Sequence, residues 1–204
     1  MPHTPFESHD LIMLNQFFSA QYCESYLQAL IEGVKWSDDY YMAFGRRIEI
    51  PRRQAWYADT GIRYSYSNNL LQTQAWIEPL TEIRQQVEKE TQRRFNSVLL
   101  THYRNGMDSV SWHADDEEEL GRQPYIASLS LGASRKLHYR HKKENISGSI
   151  TLHSGDLLFM RPGFQFDWEH SIPAEPVITQ PRINLTFRAV IPVSAPDPQT
   201  LVAL

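Results

Sequence analysis

The sequence predicts an α+β protein that is mainly β, with supporting N-terminal helices ahead of a β sandwich or barrel. Three observations predict it. Apolar residues at helical spacing occur only in the first half of the chain. From Val98 onward short β-type runs are punctuated by Asn105-Gly106, Gly121, Gly132, Gly148, Ser154-Gly155 and Pro162-Gly163, the pattern of closely spaced strands joined by turns. Residues 181–190 alternate, with Arg182, Asn184, Thr186 and Arg188 on one face of an extended segment and Ile183, Leu185 and Phe187 on the other.

Taken in order, Ser19 stands at a capping position before Cys23, Tyr26, Leu27, Leu30 and Ile31, which share a helical face, and Gly33 is the expected stop. A second helix is expected over residues 79–93, with Leu80, Ile83 and Val87 inward. Residues 48–67, carrying Trp56, Tyr57, Tyr64 and Tyr66 among charges, should add strands or a hairpin. A further strand is expected over residues 166–169, and the proline-bearing tail beyond Pro192 should be irregular. There is no repeat or low-complexity linker, so residues 1–204 read as one domain: an N-terminal region to about residue 95, a β core over about 96–191 and a tail over 192–204.

Composition excludes several classes. The content is 41% hydrophobic, enough for a sizeable interior, and no apolar run reaches the 18 or so residues that span a bilayer. The N-terminus MPHTPFESHD lacks a basic segment followed by an apolar one, so a soluble, non-exported protein is expected. Cys23 is the only cysteine, which rules out intramolecular disulfides and thiolate clusters and suits a reducing, cytoplasmic setting. A net charge of −4 argues against strong non-specific polyanion binding by the whole molecule. Two local basic groups remain: Arg46, Arg47, Arg52, Arg53 and Arg63, and Arg135, Lys136, Arg140, Lys142 and Lys143, beside an acidic block from Asp115 to Glu119.

The chemistry centres on His113-Ala-Asp115. Alternate residues of an extended segment share a face, so both side chains would enter one interior, and His170 can complete two imidazoles and one carboxylate. That set holds non-haem iron while leaving coordination positions open on one face. Alone, the triplet decides nothing, since it also fits a surface strand end beside acidic residues. The polar face of residues 182–188 is likewise open to two readings. It is either the wet side of an edge strand or a pair of guanidiniums in a barrel mouth, where a small dicarboxylate would offset their burial.

FNSVLL, HYRNGMDSVSWHADDE, IASLSLGASR, SGDLLFM, the later His170 and PRINLTFR, in that order, resemble the AlkB-type iron(II) and 2-oxoglutarate dependent dioxygenases that dealkylate nucleic acids. The resemblance covers roughly residues 54–191. It implies a double-stranded β-helix, or jelly-roll, core and a substrate lid within the N-terminal region. It implies that His113, Asp115 and His170 ligate Fe(II), and that Arg182 and Tyr103 hold the distal carboxylate of 2-oxoglutarate. Asn184, Thr186 and Arg188 would steady the cosubstrate. Thr101 stands where the family commonly has Asn, and its hydroxyl is shorter than an amide.

For the substrate, the resemblance implies Tyr64 and Tyr66 as aromatic faces for an unstacked base, and Asp116 and Glu117 as acids beside it. N1-methyladenine and N3-methylcytosine are cationic, so aromatic faces and a carboxylate would favour them. The implied reaction consumes dioxygen, turns 2-oxoglutarate into succinate and carbon dioxide, and hydroxylates an N-methyl carbon that leaves as formaldehyde. It would serve repair of alkylated DNA or RNA, with the basic groups on phosphates. Two alternatives remain: the same iron chemistry on a protein, lipid or small molecule, and a catalytically silent nucleic-acid-binding β-barrel.

Overall fold

The computed structural model describes residues 4–6, 9–38, 40–43, 46–62, 65–66, 69–70 and 73–192. The first half runs β1 (Leu11–Leu14), α1 (Ala20–Gly33), β2 (Tyr40–Ala43), β3 (Arg46–Glu49), β4 (Arg53–Ala58), β5 (Ser65–Tyr66), β6 (Asn69–Leu70), β7 (Thr73–Gln74) and α2 (Glu78–Thr91). The second half continues with β8 (Ser97–Tyr103), β9 (Val110–His113), β10 (Ile126–Gly132), β11 (Arg135–His141), β12 (Ser147–Leu152), β13 (Leu157–Met160), α3 (Pro162–Asp167), β14 (Trp168–Ile172) and β15 (Arg182–Arg188).

A seven-stranded sheet has the order β1-β13-β10-β15-β8-β4-β7, and a four-stranded sheet the order β12-β11-β14-β9. Pairing is antiparallel except between β4 and β7. The mostly antiparallel two-sheet arrangement is the expected jelly roll. The N-terminal half contributes to it directly. β1, which the sequence reading did not include, covers the open edge of β13, and β4 covers that of β8.

Alternation on β15 sorts two interiors. Ile183, Leu185 and Phe187 join Leu30 of α1 and Leu80, Ile83 and Val87 of α2 in one apolar cluster. A second cluster, with Leu99, Leu137, Leu152, Met160, Trp168 and Ile172, joins residues of both sheets. Both helices act as packing elements against the larger sheet.

Three local expectations shift. Ser19 sits at the N-cap of α1 but its hydroxyl makes no capping bond, and the helix includes Gly33 before ending at Val34. The second helix starts at Glu78, with proline in its first turn, and ends where Gln92 turns left-handed at φ 53°. Residues 166–167 are helical rather than extended, because Pro162 opens a short helix that runs to Asp167 before the strand begins at Trp168. No helix among the described residues is long and apolar enough to cross a membrane.

Candidate metal centre

β9 and β14 pair so that His113 faces His170, with ring centroids 4.2 Å apart. β9 ends at His113, so Asp115 comes from the turn beyond it, not from the strand itself as alternation suggested. One ligand atom from each of His113, Asp115 and His170 lies within 4.8 Å of the others. His113 Nδ1 is 2.8 Å from the Ser111 carbonyl oxygen, which can only accept, so Nδ1 carries a proton and Nε2 is the nitrogen left for a metal.

The protonation states of Asp115 and His170 suit a cation. Asp115 is buried; burial alone would raise its carboxyl, but Arg188, then His170 and His113, overcome this and hold it at about 2. Arg188 donates directly to Asp115 Oδ1. Burial, then repulsion from His113, pushes His170 down to about 3 against the pull of Asp115. Near neutral pH the site therefore presents a neutral imidazole at His170 and an ionised carboxylate, the states in which these groups bind metal.

Beside this triad lies a cavity with about 510 Å³ of empty space, its mouth included. The register of β4, β8 and β15 builds its wall in rungs. Tyr103 pairs with Arg182, and Thr101 lies between Gln54 and Asn184. Arg182 is 1% exposed and its guanidinium lies 5.0 Å from the Tyr103 ring centroid. Its Nη2 donates to Ser130 Oγ and Asn184 Oδ1, both at 2.8 Å, whereas Nε and Nη1 have no hydrogen-bond partner. Asn184 Nδ2 in turn donates to Thr186 Oγ1 at 2.8 Å. A buried guanidinium with two unanswered donors fits a carboxylate ligand, and two imidazoles with a carboxylate fit a divalent metal.

All six expected cosubstrate residues, Thr101, Tyr103, Arg182, Asn184, Thr186 and Arg188, line this cavity with the three ligands. So do Arg52 and Gln54, which sequence reasoning missed as site residues. Their signal was the period-two spacing Arg52, Gln54, Trp56, visible only once β4 is known to pair with β8.

The substrate-side expectations divide. Asp116 is exposed and its carboxylate lies 3.1 Å from Lys142 Nζ. Glu117 is half-buried at the start of a 3-10 turn over Glu118–Leu120. Tyr64 lies outside the described residues; for Tyr66 the backbone in β5 is described but not the side chain. Arg63 also lies outside them, as do the side chains of Arg46 and Arg47.

The basic groups do not form one free patch. Arg135 is 1% exposed, donating to the carbonyls of Asp108 and Pro173 and pairing with Glu175, because its side chain points into the sheet interior. Arg52 is also buried. Arg53 pairs with Asp38, and Arg140 with Glu169 while lying 4.4 Å over Trp112. Lys136 and Lys143 are exposed.

Residues 10–188 match the family described as the 2OG-Fe(II) oxygenase superfamily. The chain is 37% identical to bovine "DNA oxidative demethylase ALKBH2", covering 74% of this chain and 57% of that protein. It is 39% identical to human "Alpha-ketoglutarate-dependent dioxygenase alkB homolog 3", covering 81% and 61%. Arabidopsis thaliana "DNA oxidative demethylase ALKBH2" is 34% identical over 89% of this chain and 67% of its own length. The chain thus spans about three fifths of the length of its mammalian relatives. The structure of OsALKBH1 shares the fold at a TM-score of 0.61, with 15% identity over 88% of this chain and 97% of that one. On these matches the chain belongs to the 2OG-Fe(II) oxygenase superfamily, among its AlkB-like members.

Proposed function

We propose that this chain is an Fe(II)- and 2-oxoglutarate-dependent oxidative demethylase of N-alkylated bases in nucleic acid, acting in direct-reversal repair. The observation that carries the reading is the single cavity in which His113, Asp115 and His170 meet the unanswered guanidinium donors of Arg182. Relatives named DNA oxidative demethylase supply the substrate class.

His113, Asp115 and His170 would hold Fe(II), with Arg188 keeping Asp115 ionised. Arg182 and Tyr103 would take the distal carboxylate of 2-oxoglutarate, with Asn184 and Thr186 fixing the Arg182 fork. Bound together, these groups supply the oxidising chemistry: 2-oxoglutarate and dioxygen yield succinate and carbon dioxide as one oxygen atom passes to an N-methyl carbon. The hydroxymethyl product loses formaldehyde and the base is restored, so no protein nucleophile is required. Leu99, Val110, Leu137, Leu152, Met160 and Ile172 supply the apolar part of the cavity wall.

A cationic N1-methyladenine or N3-methylcytosine would be received by Tyr64 and Tyr66 and by Asp116 and Glu117, the charged base replacing Lys142 as the partner of Asp116. One buried cysteine suits a reducing, intracellular setting. A second reading, the same chemistry on a peptide or small molecule, is favoured by one fact: several arginines expected on phosphates are buried or ion-paired.

The test is mass-spectrometric demethylation of matched DNA and RNA oligonucleotides carrying N1-methyladenine or N3-methylcytosine, omitting iron and 2-oxoglutarate in turn. Loss of the methyl group with formaldehyde release is expected only in the complete mixture. Turnover of 2-oxoglutarate stimulated by peptides or metabolites, and not by methylated oligonucleotides, would transfer the proposal to the second reading. His113→Ala is expected to abolish iron-dependent succinate formation while most oligonucleotide binding survives; undiminished turnover would refute the metal assignment.

A further inference from the structure

We infer that Gln165 is a positioning residue of the metal centre: its side-chain oxygen holds the backbone of Asp115 and so fixes where the carboxylate of the triad points. The inference rests on the metal reading above and adds a residue outside the ligand set.

Because β9 stops at His113, the Asp115 N–H has lost any place in a strand ladder. Gln165 Oε1 accepts it at 2.8 Å, across fifty positions of sequence. Gln165 is 1% exposed, and its Nε2 donates to Met160 Sδ at 3.3 Å. Sulfur is a weak acceptor, so the bond to Asp115 is the stronger of the two. Of the two heads of the Gln165 amide only the oxygen can accept from the Asp115 N–H, which settles the orientation of the amide.

The bracket extends one residue further. Lys142 Nζ donates to the Gln165 backbone carbonyl at 2.8 Å and reaches Asp116 Oδ2 at 3.1 Å. Residues 115 and 116 are therefore both tied to α3. That helix leads directly into β14, which carries His170. One short segment thus sets the backbone of one ligand and delivers another. Arg188 also holds the Asp115 carboxylate, but a guanidinium at Oδ1 leaves the backbone free to swing. Without the Gln165 oxygen, the buried N–H would have to turn toward another acceptor and would carry the carboxylate with it.

The test compares the parent chain with Gln165→Leu and Gln165→Glu. Mn(II) binding is followed by the paramagnetic resonance signal of the free ion, and the thermal midpoint of each metal-free protein is recorded. Gln165→Leu is expected to weaken Mn(II) binding about tenfold or more, in the range typical of lost outer partners of a metal ligand. Gln165→Glu should stay within about threefold of the parent, because it keeps an acceptor oxygen in either protonation state.

A role in packing alone predicts the reverse order, since leucine suits the apolar surroundings of Met160 and a carboxyl group does not. Leucine binding Mn(II) as the parent does, or both variants weakening it equally, overturns the inference. If Gln165→Leu does not fold, Gln165→Met, flexible and of similar length, carries the same expectation. A parent chain that binds no Mn(II) would instead strike the metal reading itself, and the inference with it.

Discussion

Replacing Arg182 with methionine should move apo stability and cosubstrate affinity in opposite directions. Arg182 is 1% exposed, burial lowers its pKa despite the neighbouring Tyr103, and Nη2 alone bonds Ser130 and Asn184. Exchanging such a buried charge for an apolar side chain of similar volume is commonly neutral or stabilising by about 1–4 kcal/mol. In a domain of this size about 1 kcal/mol raises the thermal midpoint by roughly 2–4 °C. Of the two acceptors left behind, Asn184 Oδ1 still accepts from Ser128 Oγ at 3.0 Å, whereas the buried Ser130 hydroxyl loses its Arg182 bond and reduces that gain. For the cosubstrate, removing one side of a buried charge pair costs about 2–5 kcal/mol. That corresponds to about thirty-fold to a few thousand-fold in affinity. Thermal midpoints of parent and Arg182→Met, measured without ligand and across a 2-oxoglutarate titration with Mn(II), read both quantities. A variant that melts earlier yet keeps its 2-oxoglutarate affinity within about threefold would refute this reasoning. It would make Arg182 a brace between β15 and β10.

Three further outcomes are expected. The metal-free protein should lose stability as pH falls below about 6.5. An unfolded histidine takes up a proton there whereas His170 resists to about 3, and Asp115, held at about 2, adds to the loss below about 3.8. His170→Gln should flatten the upper part of that slope in a thermal melt series, leaving the share of His102, also pushed down by burial and by Arg53; an unchanged slope would contradict the burial argument. Thr101→Asn, set between Gln54 and Asn184, should shift 2-oxoglutarate affinity by about two- to tenfold, the scale of one hydrogen bond, without changing the reaction; loss of all activity would show that the rung cannot take an amide. Mn(II) should bind more tightly with 2-oxoglutarate present, and 2-oxoglutarate more tightly with Mn(II) by the same factor, which paired calorimetric titrations would check; independent binding would refute the coupling.

What the sequence disclosed follows the range of the forces involved. Local periodicity reveals residues 182–188 because every second side chain meets the same interior, and the burial of all seven residues of β15 settles a core strand over a wet edge. His113, Asp115 and His170 are legible because metal binding restricts residue type. Gln165, Gln54 and Arg52 are not, since a glutamine or arginine is common anywhere and acquires meaning only from a strand or turn far away in sequence. Arg135 shows the same limit from the other side. In sequence it is one basic residue among five, yet alternation along β11 turns it and Leu137 inward while Lys136 and Arg140 face out. Charge clustering in sequence ignores that period and so overstates the phosphate patch.

The surplus of buried arginine has a cause in the chemistry of loading. Three guanidiniums, from Arg52, Arg182 and Arg188, line the cavity with one carboxylate, Asp115, while His170 stays neutral. These four charged side chains alone leave two positive charges in excess. A divalent cation alone would double that excess, and a dianion alone would cancel it. At an effective dielectric of about 20, two unit charges about 4 Å apart interact by roughly 4 kcal/mol, so such differences are large enough to couple the two binding steps. A dianion drawn in by Arg182 and Arg52 would remove the repulsion that a cation at His113, Asp115 and His170 would otherwise feel. With both bound, the cavity returns to the charge it began with. Arginines that are costly to bury would thus make the metal and the cosubstrate depend on each other.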